Sequence, residues 1–298
     1  VISVVVWLWN DADTIAPAPV PAAQPPRPVP VPVPAPTPEI RVDMQARVPF
    51  HRRQELRAKR IRERQVMLRQ QRAPAFRPPR LFLPAHVNVA QKMFARHIKE
   101  PHRFICIADN SEGLSSDVEY VKTPAAAAAV ANLRSPEGPR FPSCYRRLWS
   151  FSEDARILGD RLLVLDIDLV VTRDIAPIIK RPEDFVGWRP FRDWGARRRF
   201  GGGIYLMKTG SRTAVWDDFR GASSISEARN SGFRGSDQAW ISYKLADKDC
   251  CWSRESGIYS VRDLGPGFAL PPDARIVQFN GHQKPWHYKQ GWVADHWR

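Results

Sequence analysis

The sequence predicts an α/β fold, a three-layer sandwich around a mostly parallel sheet, and three observations carry that expectation. Val1 to Trp9 is a β-branched and aromatic run, apolar enough on both faces to lie in the middle of a parallel sheet. Arg161 to Val171 (RLLVLDIDLVV) is the strongest strand pattern in the chain. Strand-like and helix-like segments alternate through the second two thirds, which is the pattern of strands connected by crossover helices.

Taken in order, the first strand falls within residues 1–12, and residues 13–83 interrupt the fold as an insert. From Asp13 to Thr37 the insert is an Ala/Pro/Val tract, with proline at every second position from Pro28 to Pro38. Such a tract makes neither helix nor ladder, so a disordered, extended polyproline-II linker is expected. His51 to Arg72 turns helix-favouring and basic, with Leu56, Ile61, Val66 and Leu68 as sparse apolar positions, and reads as a solvated charged helix. Residues 84–298 have the composition of a globular protein. Val87 to Ile98 has helical period, Arg103 to Ala108 is a buried strand, and Asp109 to Gly113 is its turn. A helix over Cys144 to Ala155 precedes the Arg161 to Val171 strand. Phe200 to Met207 is a further strand, Arg212 to Phe219 and Ser236 to Leu245 are helices, and Arg275 to Phe279 is a late strand. No internal repeat is visible.

Charge is unevenly placed along the 298 residues. The net charge is +15, yet residues 13–83 hold 14 of the 46 Lys and Arg, 5 of the 31 Asp and Glu, and 15 of the 28 prolines, and so carry +9 of it. The four cysteines, Cys106, Cys144, Cys250 and Cys251, form no C-x-x-C pair. Their spacing suggests neither a disulfide framework nor a zinc site, which favours a reducing compartment. The apolar start is too short to span a bilayer, since about 20 residues are needed. It also lacks the cationic flank and cleavage site of a signal peptide. A cytoplasmic protein is expected, with at most a weak peripheral contact between the basic insert and an anionic membrane.

The chemistry-bearing residues gather in four segments. Asp166 and Asp168 end an apolar strand one residue apart, and ligands of α/β sheets bind beyond the carboxyl ends of strands. Two carboxylates so close need a cation between them, and oxygen ligands suit Mg²⁺ or Mn²⁺. Phe200 to Met207 (FGGGIYLM) puts three glycines, Gly202 at their centre, where backbone must come near a ligand or the metal loop. Asp237 and Gln238 sit side by side at a helix start. Lys284 lies in a K-P-W turn after the late strand and suits a phosphate group.

In this order and spacing the segments resemble the retaining glycosyltransferases of family 8, the group that contains glycogenin and the lipopolysaccharide galactosyltransferases. The residues that carry the resemblance are Tyr145-Arg146-Arg147-Leu148, Asp166-Ile167-Asp168, Phe200 to Met207, Asp237-Gln238, and Gln278 through Gly281 to Lys284-Pro285-Trp286. It covers about Pro84 to His287 plus the first strand. The resemblance implies a GT-A-like fold with a nucleotide-binding sheet and transfer of a sugar from a nucleotide-diphosphate donor, a UDP-sugar, to a glycan, lipid or protein acceptor. It makes Asp166 and Asp168 metal ligands that reach the donor, puts Lys284 on the diphosphate and Arg147 on the donor side, and sets Asp237 and Gln238 beside the transferred sugar. Asp109, Trp9 and Asn10 are looser candidates for the base. Two positions depart from the family pattern. Its third metal ligand, a His, falls on Gln278, a poor ligand for Mn²⁺; Asn280 or His282 substitutes, or phosphate and water complete the shell. Its strand Asn falls on Gly201.

Two other readings compete. Asp166-Ile167-Asp168-Leu169-Val170 also fits the first motif of haloacid-dehalogenase-like phosphatases, but no G-D-x-x-x-D follows and the K-P-W turn is left unexplained. The basic insert suggests a nucleic-acid-binding protein. Its only aromatics are Phe50, Phe76 and Phe82, too few to interleave with the charges as stacking readers require, so nucleic acid is not the expected partner.

Overall fold

Strand β1 (Ile2–Leu8) occupies the place its apolar sequence demands. It is flanked by two parallel neighbours, β2 (His102–Ala108) on one side and β4 (Arg161–Leu165) on the other. Successive side chains point to opposite faces. Val4 and Val6 therefore enter one apolar cluster with Phe104, Leu163 and Met93 and Phe94 of helix α1 (Pro84–His97). Val5 and Trp7 enter a second, with Ile105, Val164, Trp149, Phe151 and Trp240. Two cores on two faces make the three layers.

The structure, a computed structural model, describes residues 1–8, 82–136, 143–190, 200–245, 249–265, 267–281 and 283–298. The polyproline tract, the basic helix, Trp9, Asn10 and His282 lie outside these residues. Strand β3 (Glu119–Lys122) extends the sheet in parallel beyond β2. On the other side β7 (Gly201–Lys208) pairs antiparallel with β4, β6 (Phe185–Trp188) antiparallel with β7, and β8 (Cys250–Trp252) parallel with β6. The order is β3-β2-β1-β4-β7-β6-β8, and only β7 runs against the rest. Strand order reverses between β1 and β4, which opens a crevice at their carboxyl ends.

A second sheet corrects the sequence reading. The Arg161 to Val171 run is not one strand. β4 stops at Leu165, and β5 (Leu169–Val171) pairs antiparallel with β10 (Ile276–Gln278), which also pairs in parallel with β9 (Ile258–Ser260). Asp166-Ile167-Asp168 is thus the crossing between two sheets. The helix expected over Cys144 to Ala155 is two 3-10 helices, Tyr145–Phe151 and Glu153–Leu158. Short helices α2 (Ala125–Ala129), α3 (Ala176–Ile179) and α4 (Ala214–Asp217) are followed by α5 (Ala222–Asn230), α6 (Asp237–Lys244) and α7 (Gly291–His296). Among the described residues no helix is long and apolar enough to cross a membrane. No disulfide joins the four cysteines.

Helix α1 starts on an unusual cap. The backbone N–H of Leu83 donates to His86 Nδ1 at 3.1 Å, and the His86 ring stacks on Trp286 at 3.9 Å and 10°. Burial, with His287 adding, pulls His86 from 6.5 down to about 4. The folded state therefore binds fewer protons than the unfolded chain between those values, and stability falls as pH drops through that window. At about 1.4 kcal/mol per unit, the loss attributable to His86 is bounded at about 3.5 kcal/mol, and solvent screening of the half-buried ring brings it below that. Urea melts between pH 7 and 4 should show this decline. His86→Phe should make it shallower, leaving the part that His97, His287 and His296 contribute, with a pH-independent loss of the Leu83 cap; an unchanged slope would refute the assignment.

Candidate functional site

The crossing from β4 to β5 is pinned at both ends, which fixes where its two carboxylates stand. Asp166 N–H donates to Gly203 O at 2.9 Å, prolonging the β4–β7 ladder by one bond, and Phe279 N–H donates to Asp168 O at 2.8 Å. Between them Ile167 is 3% exposed and belongs to the core. The chain cannot slide here without drawing Ile167 out of the core.

Each carboxylate meets a cation. Arg147, in the first 3-10 helix, places Nε and Nη2 on Asp237 Oδ2 at 2.8 and 2.7 Å, and Nη1 on Asp166 Oδ1. Asp237, the first residue of α6, is fully buried and also accepts from Ser236 Oγ at 2.9 Å. Burial alone would lower the Arg147 pKa; the Asp166 and Asp237 carboxylates outweigh it and hold the guanidinium charged, well above its ordinary range. Lys284 Nζ binds Asp168 Oδ2, and also Phe279 O at 3.1 Å, with both side chains nearly sequestered. Asp166 is more open: 40% of its side chain is exposed. Desolvation pushes its carboxyl up, opposed by Arg147 and aided by Asp168 and Asp237, and the solvent that reaches it limits the rise.

The three consecutive glycines of β7 have three separate causes. A Cβ on Gly201 would fall 2.5 Å from the Trp188 ring. One on Gly202 would fall 3.0 Å from both Arg147 Nη2 and Gln238 Oε1. One on Gly203 would fall 2.0 Å from Gln278 Oε1 and 3.3 Å from Asp166 Oδ2. Gly202 and Gly203 are therefore the floor of the site, and Trp188 fills the space above Gly201. Gly203→Ala should cost about 1–3 kcal/mol by overpacking. In a Gln278→Ala background most of that cost should vanish, as a double-mutant cycle of urea melts will report; additive costs would refute the contact.

Of the residues singled out from sequence, Arg147, Asp166, Asp168, Gly202, Asp237, Gln238 and Lys284 come together. Asp109 stands just beyond β2, its side chain 63% exposed, 3.4 Å from Arg146 at the neighbouring position to Arg147. His282 lies outside the described residues. Two contributors escape sequence inspection: Ser236, which orients Asp237, and His287, whose Nδ1 accepts the Lys284 N–H at 3.2 Å and so holds the lysine's turn. An imidazole three residues after the N–H it caps, as in Leu83 and His86, is the one signal that could have flagged the last. A groove bordered by Lys122, Trp149, Asp154 and Ile157 shares no residue with this cluster.

No family model and no curated protein matches the chain. Solved structures do. A variant of LgtC altered at an active-site glutamine superposes with a TM-score of 0.51 at 14% identity, over 72% of this chain and 90% of that one. The galactosyltransferase LgtC in complex with donor and acceptor sugar analogues gives 0.49 at 15%, over 72% and 90%. The glycosyltransferase GlyE of Streptococcus pneumoniae TIGR4 gives 0.48 at 17%, over 71% and 56%. The chain thus shares the fold of LgtC, the GT-A-like arrangement that the motifs imply.

Proposed function

We propose that the protein is a metal-dependent glycosyltransferase that moves a sugar from a nucleotide-diphosphate sugar, a UDP-sugar, to a glycan, lipid or protein acceptor with retention. One observation carries the reading: at the switch point of a fold shared with LgtC, two carboxylates from one strand end converge with a buried arginine, a buried lysine and an Asp-Gln pair. LgtC itself binds donor and acceptor sugar analogues and has a glutamine in its active site.

The donor set fits a hard divalent cation. Asp166 and Asp168 supply carboxylate oxygens, and with Asp237, Arg147 and Lys284 the cluster carries a net charge of −1. Mn²⁺ or Mg²⁺ held by Asp166 and Asp168 would neutralise the charge that grows on the departing diphosphate. That makes the cluster net positive, as a diphosphate requires. Lys284 then adds a point charge and donors to the leaving group. Arg147 acts on position: it ties the end of β4 to the start of α6, so that Asp166 and Asp237 keep their spacing. Gln238 flanks the transferred sugar, where its amide oxygen favours the cationic transition state, and Asp237, wholly buried against Arg147 and Ser236, holds the helix start that presents it. Retention calls for the acceptor hydroxyl to approach on the face that the diphosphate leaves.

The phosphatase alternative needs Asp166 as a free nucleophile; its contact with Arg147 weighs against that role. A reducing, cytoplasmic setting belongs to this reading, in keeping with the cysteine spacing of the sequence. A panel of UDP- and GDP-sugars tested for slow hydrolysis with Mn²⁺ or Mg²⁺ is the direct experiment, with release of UDP expected. Absence of turnover together with absence of a thermal shift on any nucleoside diphosphate overturns the proposal.

A further inference from the structure

Two X-Pro-X-His turns, Leu83-Pro84-Ala85-His86 and Lys284-Pro285-Trp286-His287, pack on one another. In both, the backbone N–H before the proline donates to Nδ1 of the histidine, at 3.1 Å in the first and 3.2 Å in the second. Trp286 joins them: His86 stacks on its ring, and His287 meets it edge-on at 6.0 Å. A backbone N–H can only donate, so Nδ1 of His287 is the unprotonated nitrogen and the ring is neutral. In return the His287 N–H donates to Lys284 O at 3.0 Å, and the turn is closed from both sides.

The second turn carries Lys284. Among the described residues two of the three donors of its ammonium are engaged, by Asp168 Oδ2 and Phe279 O, which leaves one for a phosphate oxygen. With the side chain nearly sequestered, the backbone of the turn decides where that donor points. Resting on the donor-site reading above, we infer that His287 is a positioning residue for Lys284, whose neutral ring holds the ammonium against the diphosphate and whose protonation lets it go in acid. A proton on Nδ1 sets two donors face to face, and the turn loses its cap. The titratable and charged groups that face the ring, among the described residues, are Lys284 and Lys289 of its own turn and His86 of α1. Burial first, and then the two lysines, hold His287 below its ordinary 6.5. The cap is therefore complete at neutral pH and is lost as pH falls through the lowered value.

The test measures the affinity of the full chain for UDP with Mn²⁺ by calorimetry, from about pH 7.5 to about pH 5. UDP and Asp166 titrate in that range as well, so each variant is read as a ratio to the unaltered chain at the same pH. His287→Phe should weaken UDP by about 5–30-fold at neutral pH, the equivalent of one lost cap. The ratio should fall toward one in acid, where the unaltered chain loses its own cap. His287→Gln keeps an acceptor that does not titrate, as glutamine does at the third position of a capping box. It should recover most of the affinity and weaken less steeply in acid than the unaltered chain, and it carries the test if the phenylalanine variant does not fold. In a Lys284→Met background His287→Phe should cost less than about twofold, because the group it positions is gone. A cost that is the same with and without Lys284 overturns the assignment, as do ratios for both His287 variants that stay constant with pH. Failure of UDP to bind the unaltered chain overturns the donor-site reading instead.

Discussion

Replacing Asp168 by Ala is expected to abolish metal-dependent hydrolysis of the nucleotide-sugar, lowering the rate by at least about 10²–10³-fold, the usual effect of removing one charge-stabilising group at a reacting centre. Two losses combine in that number. A cation held as proposed would lose one of its two carboxylates, and Lys284 loses the partner that aims it, keeping only Phe279 O at 3.1 Å. Because the pair is almost wholly sequestered, the alanine variant also strands an ammonium group away from water. Breaking a buried pair in this way costs about 3–5 kcal/mol. Asp168→Asn separates the two effects. It keeps an oxygen for Lys284 and most of the shape, so its melting temperature should return most of the way while its rate stays low. UDP release and thermal melts, measured on the same preparations, decide it. A residual rate within tenfold of the unaltered chain in the asparagine variant would remove Asp168 from the metal site.

Much of this cluster is legible in the sequence because its members sit at strand ends and helix starts, where local pattern and chemistry coincide. Asp166 and Asp168 interrupt a run that is otherwise entirely apolar, and Asp237 opens a helix that the chain spells clearly. What escapes is what depends on distant partners. RLLVLDIDLVV reads as one strand because both halves are β-branched and buried; the break between β4 and β5 comes from pairing with Ile276–Gln278, more than a hundred residues later. Tyr145, Leu148 and Trp149 have a spacing that serves a 3-10 helix as well as an α-helix over so short a span, and only packing chooses between them. β3, β6, β8 and β9 are three or four residues each, too short to show a period. Gln278 is visible as a departure from the family's histidine, but its fit with Gly203 is a cross-sheet contact that no local pattern records.

Arg147→Met is expected to destabilise the protein by about 3–5 kcal/mol, the cost of leaving a buried charge without its partner. The stranded group is Asp237, which has no solvent exposure and would retain only Ser236 Oγ and the first turn of α6. Asp166 contributes less, because water already reaches its carboxylate. For a folded unit of this size each kcal/mol moves the melting temperature by about 2–4 °C, so a drop of about 10 °C is anticipated. Arg147→Lys should recover less than half of it. One ammonium cannot reproduce the fork in which Nε and Nη2 meet Asp237 while Nη1 meets Asp166. Adding Asp237→Asn to Arg147→Met should restore stability, since the buried charge is then gone, but it should not restore turnover. A double variant that regains both would make the Arg147–Asp237 pair a purely structural device, and one that regains neither would show that Arg147 is held by packing rather than by charge. The expected split, stability recovered and activity lost, follows from one guanidinium spanning a carboxylate in the protein interior and another at the mouth of the proposed donor site.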